Sequence, residues 1–298
     1  MIPKIIHYCW LSADPMPKDV QGYLGTWKKH LKDYEFIKWD FNRFPKNQCP
    51  WVSEAFDCKK YAFAADYLRL YALYNYGGIY LDCDVEVLKS FDAFLELNTM
   101  MCYENTNGGK NGETFLEVAA FGTAKGEKWV GDCLKHYDGR HFVNEKGEMD
   151  MYTLPEIVMD GLVNNGYIIK DVANVQEAKS VKEKEIPVLP YDFFSPKNLF
   201  TMEVAVTDNT CSIHNYKGSW SPRPFLHFLL KMGIKYKYAN KINEHTMKAF
   251  GYVLLPRLVV KSIFEGTFCE KVKKNINKRR HKDVKERSFK ETDLGSDS

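Results

Sequence analysis

Asp82 and Asp84 stand one residue apart in "YNYGGIYLDCDVEVL", residues 74–88, a stretch that otherwise reads as buried strand. The side-chain period of a strand is two, so Tyr80, Asp82, Asp84 and Glu86 share one face. Ile79, Leu81, Cys83, Val85 and Val87 share the other. Neighbours on one face lie roughly 7 Å apart, close enough for both carboxylates to reach one divalent cation or its water shell. Two like charges so placed repel unless something positive lies between them. Without that partner the pair is a solvated edge.

Asp66 and Arg69 are a second anomaly. They sit in "CKKYAFAADYLRLYALYNY", residues 58–76, which lacks Gly and Pro and is apolar nearly all round. The pattern predicts a helix buried on most sides and stopped by Gly77-Gly78. At spacing i, i+3 the two charged residues lie on one face, in line with Ala62 and Leu73. One reading is an internal salt bridge that orients the helix. The other is a polar stripe facing the same cleft as Asp82 and Asp84. The Gly-Gly turn makes that juxtaposition easy, and in open α/β sheets ligand crevices lie beyond the carboxyl ends of strands, where the D-x-D falls.

The elements that must position these residues follow from the apolar periodicity. "IPKIIHYCWL" reads as a first strand broken by the loop at Asp14–Pro17, "VQGYLGTWKKHL" as a short helix and "YEFIKWD" as a second strand. Alternating strands and helices predict an α/β sandwich with a largely parallel sheet. A chain of 298 residues fits one large α/β domain or two small ones. Hydrophobic residues at 45% and charged residues at 27% place it with soluble globular proteins. Aromatics at 14% suit sugar or base stacking, and equally core filling. The eight cysteines are scattered without a C-x-x-C pair, and "MIPKIIHYCW" has no cationic leader. Reduced thiols in a cytosol are expected, rather than a disulfide framework or a zinc cluster.

Other motifs are excluded. An EF-hand would need Gly at the sixth position from Asp82 and Glu at the twelfth, where Val87 and Ala93 stand. "NGGKNG", residues 107–112, has neither the P-loop nor the G-x-G-x-x-G spacing. No H-E-x-x-H or G-x-S-x-G occurs.

The combination is more specific than its parts. "IPKIIHYCW", "KKYAFAADYLRLYALYNYGGIYLDCDVEVL", "YDFFSPK" and "HNYKGSW", in that order, resemble the DxD sugar-binding enzymes of glycosyltransferase family 32, of the capsular and surface polysaccharide type. They are similar, more distantly, to the catalytic domain of the clostridial glucosylating toxins. The strongest block runs from Lys59 to Leu88, and weaker matches extend from Ile2 to about Trp220. The resemblance implies a GT-A (nucleotide-diphospho-sugar transferase) fold and retaining sugar transfer from a nucleotide donor, UDP-sugars favoured, with Mn2+ or Mg2+.

It also implies roles. Asp84 would ligate the metal, and Asp82 would hold its water shell and the donor ribose or sugar, beside Tyr80. Asp66 and Arg69 would bind donor-sugar hydroxyls, and Trp10 would stack on the nucleotide base. His214, Ser219 and Trp220 would close over the diphosphate, with His214 a candidate metal ligand; the toxin pattern differs at this end. Physical chemistry supports the assignment. A cation bridging a nucleotide diphosphate to Asp82 and Asp84 resolves their repulsion and acts as a Lewis acid on the leaving group. Hard oxygen ligands select Mg2+ or Mn2+ over zinc. Each residue also has a plainer reading: Trp10 as a core cap beside Tyr8, and His214 as a satisfied strand histidine. His7 and Cys83 are assigned to packing, and "YDFFSPK" to a structural turn near the acceptor side.

The expected domains are a catalytic GT-A unit over 1–222, a helical C-terminal extension over 223–270, and a tail over 271–298. Residues 271–290 hold ten Lys/Arg against Asp283 and Glu286, a net of +8, and the last eight residues carry −3. Pro256, Arg257 and Lys261 interrupt the best candidate for a membrane span. Three readings of this end stand together: nucleic-acid binding, opposed by the lack of interleaved aromatics; a solvated tail; and an interfacial anchor on anionic lipid. The expectation is a cytoplasmic transferase, peripheral on the inner face of the membrane, acting on an oligosaccharide or lipid-linked saccharide and not on nucleic acid. Two rivals remain. One is a glycoside hydrolase, which needs carboxylates about 5 Å or more apart across a bond and no metal. The other is a divalent-metal or polysaccharide-binding module without transfer activity.

Overall fold

The apolar runs form the strands Ile5–Cys9 (β1) and Glu35–Trp39 (β2), joined by the helix Lys18–His30 (α1). The computed structural model describes residues 1–106 and 115–217. Ser219, Trp220, the expected extension over 223–270 and the tail over 271–298 lie outside the described residues. After β2 come helices Pro50–Asp57 (α2) and Tyr61–Tyr76 (α3), then strands Gly78–Leu81 (β3), Val85–Val87 (β4), Thr99–Met100 (β5) and Ala120–Thr123 (β6). Helices Lys128–Leu134 (α4) and Leu154–Asn164 (α5), strand Ile168–Asp171 (β7), helix Val175–Ala178 (α6) and strands Glu185–Val188 (β8) and Ser212–His214 (β9) complete the order.

The central sheet has the order β2-β1-β3-β6-β5. β1 lies parallel to both β2 and β3, while β6 is antiparallel to β3 and β5. Four of the five strands therefore run one way and β6 alone runs back, giving a mixed α/β fold with a mostly parallel sheet, as the alternating elements predict. Each face of the sheet carries a core. Tyr80 and Phe121 pack with Leu68, Leu73 and Trp129 on the side of α3 and α4. Ile79, Leu81 and Ala120 pack with Trp27 of α1 on the other. Because β1 and β3 are parallel, their carboxyl ends open on the same edge, and Trp10 and Asp82 both emerge there.

Helix α3 is buried along most of its length, but it begins at Tyr61, three residues later than Cys58. The intervening residues close α2, with Cys58 N–H on the Glu54 carbonyl and Lys59 at φ 59°. It ends as expected. Gly77 (φ 67°) turns its N–H back to the Leu73 carbonyl, and Gly78 (φ 110°) starts β3 against β1. A Cβ on Gly78 would meet the Ile5 carbonyl oxygen at 2.6 Å, so the sheet tolerates no side chain there.

One expectation is overturned. The continuous strand from Ile79 to Val87 is two strands that belong to different sheets. β3 stops at Leu81; β4 pairs antiparallel with β9, Val85 opposite His214. Asp82, Cys83 and Asp84 form the turn between them, closed by Val85 N–H on the Asp82 carbonyl at 2.9 Å. The alternation that reads as strand is preserved on both sides of this turn, since Leu81, Val85 and Val87 all enter the same core. Cys83 is consequently half-buried at the turn instead of facing a core; its Sγ lies 3.3 Å from the Cys9 carbonyl.

Candidate active site

Arg69, on the buried face of α3, is the hub. Its Nη2 lies 3.1 Å from Asp66 Oδ1 and 3.2 Å from Asp82 Oδ1, and its Nη1 donates to the Val118 carbonyl at 2.7 Å. The guanidinium also stands 4.5 Å over the Tyr80 ring, whose hydroxyl donates to Asp82 Oδ1 at 3.0 Å. The two readings of Asp66 and Arg69 are thus both present in one arrangement: the pair bridges, and the same arginine reaches the D-x-D turn. Burial raises the Asp66 pKa to about 7 against the pull of Arg69. Burial raises Asp82 too, with Arg69 opposing and Asp84 adding to the rise. For Arg69, burial disfavours the charge, but Asp82, Tyr80 and Asp66 outweigh it and keep the side chain cationic.

Asp84 is gripped from the other side of the turn. Its carbonyl accepts from Asn215 N–H at 3.1 Å, and its Oδ2 accepts from Lys217 N–H at 2.7 Å. The segment after β9 reaches it by passing Tyr216 through the left-handed region (φ 47°), a conformation that costs a non-glycine residue about 1–3 kcal/mol. Tyr216 is held there by its hydroxyl against Ser195 Oγ at 2.8 Å and by its ring against His214, centroids 4.0 Å apart. Ser195 comes from "YDFFSPK", so that segment anchors the site.

His214 completes the arrangement. Its Nε2 lies 3.7 Å from Asp84 Oδ1, and its Nδ1 lies 3.2 Å from Glu117 Oε2. Burial disfavours its charge, yet Glu117 and Asp84 lift its pKa to about 10. Ligand atoms of Asp82, Asp84 and His214 all lie within 4.8 Å of one another. Adjacent and opposite ligands of an octahedral ion with bonds of about 2.1 Å stand roughly 3–4.2 Å apart, a range that includes the Asp84–His214 separation. The donor set, two carboxylates and an imidazole, suits a hard or borderline divalent cation. The residues present fit Mn2+ or Mg2+.

Trp10 stands half-buried just beyond β1, on the open edge, with its indole N–H on the Asp14 carbonyl at 2.9 Å. It is therefore not absorbed into the core. His7 is, as expected, wholly buried between Trp39 and Gly77. Two carboxylates escaped sequence reasoning. Glu117 is wholly buried against His214, and Glu104 is raised to about 8 by burial, with Glu117 adding to the rise. With His214 they form a second group of ligand atoms within 4.8 Å. The seven described cysteines form no disulfide, and among the described residues no helix is long and apolar enough to cross a membrane.

The sequence around these residues has known relatives. Residues 17–101 match the glycosyltransferase sugar-binding region containing DXD motif. The matched span runs from the start of α1 to β5 and includes Asp66, Arg69, Asp82 and Asp84. Inositol phosphoceramide mannosyltransferase 3 of Schizosaccharomyces pombe is 36% identical over 98 residues, 32% of this chain and 27% of that protein. Mannosyl phosphorylinositol ceramide synthase SUR1 of Saccharomyces cerevisiae is 31% identical over 155 residues, 48% of this chain and 37% of that protein. The chain thus spans about a third of the length of these curated relatives. Among solved structures, PaToxG Glycosyltransferase is 19% identical with a TM-score of 0.40, over 55% of this chain and 70% of that one.

Proposed function

We propose that the protein is a metal-dependent, retaining glycosyltransferase that moves a hexosyl group from a nucleotide-diphosphate sugar to a saccharide or glycolipid acceptor in cell-surface glycan synthesis. One observation carries the reading: Asp82, Asp84 and His214 converge within 4.8 Å at the carboxyl edge of the sheet, with Arg69 fixing Asp82. Asp84 Oδ1 and His214 Nε2 would hold Mn2+ or Mg2+, with Asp82 completing the set. The bound cation would stabilise negative charge on the leaving diphosphate. Arg69 holds the Asp82 carboxylate in place. Asp66, with a pKa of about 7, can accept from or donate to a sugar hydroxyl near neutral pH. Trp10, on the same edge, offers an indole face to a base.

The names of the relatives describe mannosyl transfer to inositol phosphoceramide, which makes a mannosyl donor and a glycolipid acceptor the first alternatives to test beside UDP-sugars. A cytoplasmic, membrane-peripheral setting belongs to the same proposal and rests on the basic run at 271–290. Co-sedimentation of the full chain with anionic vesicles at low salt, lost at high salt, would support that setting; salt-independent binding would oppose it. The activity is tested with a panel of UDP- and GDP-sugars, with and without Mn2+. Mn2+-dependent release of nucleotide diphosphate from one member is expected. Binding of a polysaccharide with no turnover of any donor would favour the binding-module rival.

A further inference from the structure

Residues 117–119 carry three supports of the site in succession. Glu117 Oε2 meets His214 Nδ1 at 3.2 Å, the Val118 carbonyl accepts from Arg69 at 2.7 Å, and the Ala119 carbonyl accepts from Asp82 N–H at 2.8 Å. We propose that this tripeptide is a positioning platform and that Glu117 is a positioning residue that sets the tautomer and direction of His214. The inference rests on the reading of Asp82, Asp84 and His214 as a cation site.

A cation bound there would displace one proton from the imidazole, and with Nδ1–H kept by the Glu117 carboxylate the lone pair would open at Nε2, the atom that faces Asp84. Glu117 can impose this because it cannot turn away. It is wholly buried, its Oε1 accepts from Ala119 N–H at 2.7 Å, and its own N–H donates to the Cys102 carbonyl at 2.9 Å. Both carboxylate oxygens therefore act as acceptors. The Tyr216 ring packs against the same imidazole, tilted by 42° to it. A buried ion pair adds little net stability compared with apolar packing, so stability alone does not account for a carboxylate there.

The isosteric change Glu117→Gln is informative because it replaces one acceptor by a donor. If the amide NH2 turns to His214, it donates to Nδ1 and forces the proton onto Nε2, closing the ligand position. If it turns to Ala119, two N–H groups face each other.

The test is Mn2+ binding to the full chain, followed by the EPR signal of free Mn2+ with no nucleotide present. Glu117→Gln is expected to weaken binding by roughly 10–100-fold. Glu104→Gln, outside the proposed set, is expected to leave it within about threefold of wild type, since Glu104 does not hold the imidazole in its ligating tautomer. Unchanged affinity in Glu117→Gln overturns the inference. So does a loss in Glu104→Gln as large as that in Glu117→Gln, which would place the cation among Glu104, Glu117 and His214. Equal affinity in Asp84→Asn and wild type overturns the cation-site reading itself and this inference with it. Should Glu117→Gln fail to fold, the 15N-histidine spectrum of the Mg2+-loaded wild type decides. Nδ1–H with a bare Nε2 is expected for His214, and Nε2–H overturns the inference.

Discussion

Arg69→Ala removes the cation shared by two carboxylates. Arg69 is 5% exposed in its side chain, and its Nη2 lies 3.1 Å from Asp66 and 3.2 Å from Asp82. Breaking a buried pair by removing one partner costs about 3–5 kcal/mol, because the remaining charge is left uncompensated. The Val118 carbonyl also loses its donor, worth about 1–3 kcal/mol. One effect opposes these. Asp66 has a pKa of about 7 even with Arg69 present, so in the variant it can neutralise itself by binding a proton. The expected loss is therefore about 3–5 kcal/mol at pH 8 in urea denaturation, and smaller at pH 5, where the carboxylates take up protons. Turnover per folded molecule should fall as well, since Asp82 loses its anchor. A loss below about 1 kcal/mol at pH 8 would refute the buried-hub geometry. A variant that unfolds readily yet keeps normal turnover per folded molecule would reduce Arg69 to a structural bridge.

Three further outcomes follow from particular contacts. His7 is held neutral, its Nε2 against the Gly77 carbonyl and its Nδ1 accepting from Trp39, and burial lowers its pKa from 6.5 to about 4. The unfolded chain binds this proton below pH 6.5 and the folded chain only near 4, so stability falls as pH drops through that window, by about 3 kcal/mol; a wild-type urea series that differs in no way from His7→Gln between pH 7 and 4 would contradict this. Gly78→Ala should cost at least about 2 kcal/mol, from a positive φ and a Cβ 2.6 Å from the Ile5 oxygen; a melting temperature within about 1 °C of wild type would exclude the close approach of β1 and β3. Trp10→Ala should weaken binding of the preferred nucleoside diphosphate by roughly 5–150-fold, the worth of one stacked base, and an unchanged calorimetric affinity would remove Trp10 from the site.

Much of this site was legible because its parts are local. Asp66 and Arg69 show as charges in an apolar helix, and Asp82 and Asp84 as carboxylates at a strand end, all within nineteen positions ending at Asp84. Gly77-Gly78 announces the turn that brings them together. The turn at Asp82–Asp84 was not legible, because apolar and acidic residues alternate through it as they would along one strand. Only the pairing of β4 with β9 shows that the chain changes sheets there. Glu117 was invisible for a different reason. It meets His214 across 97 residues, and a single glutamate in "FLEVAAF" carries no periodic or spacing signal. The strained Tyr216 and the Lys217 N–H are likewise main-chain features with no residue-type signature.

The central claim is that a divalent cation held at Asp84 and His214 binds a nucleotide diphosphate. Calorimetric titration of UDP and GDP into the full chain, in Mn2+, in EDTA, and into Asp84→Asn in Mn2+, tests it most directly. One nucleotide should bind in Mn2+, and its affinity should fall by more than roughly tenfold both in EDTA and in the folded Asp84→Asn variant. Equal affinity under all three conditions would contradict it.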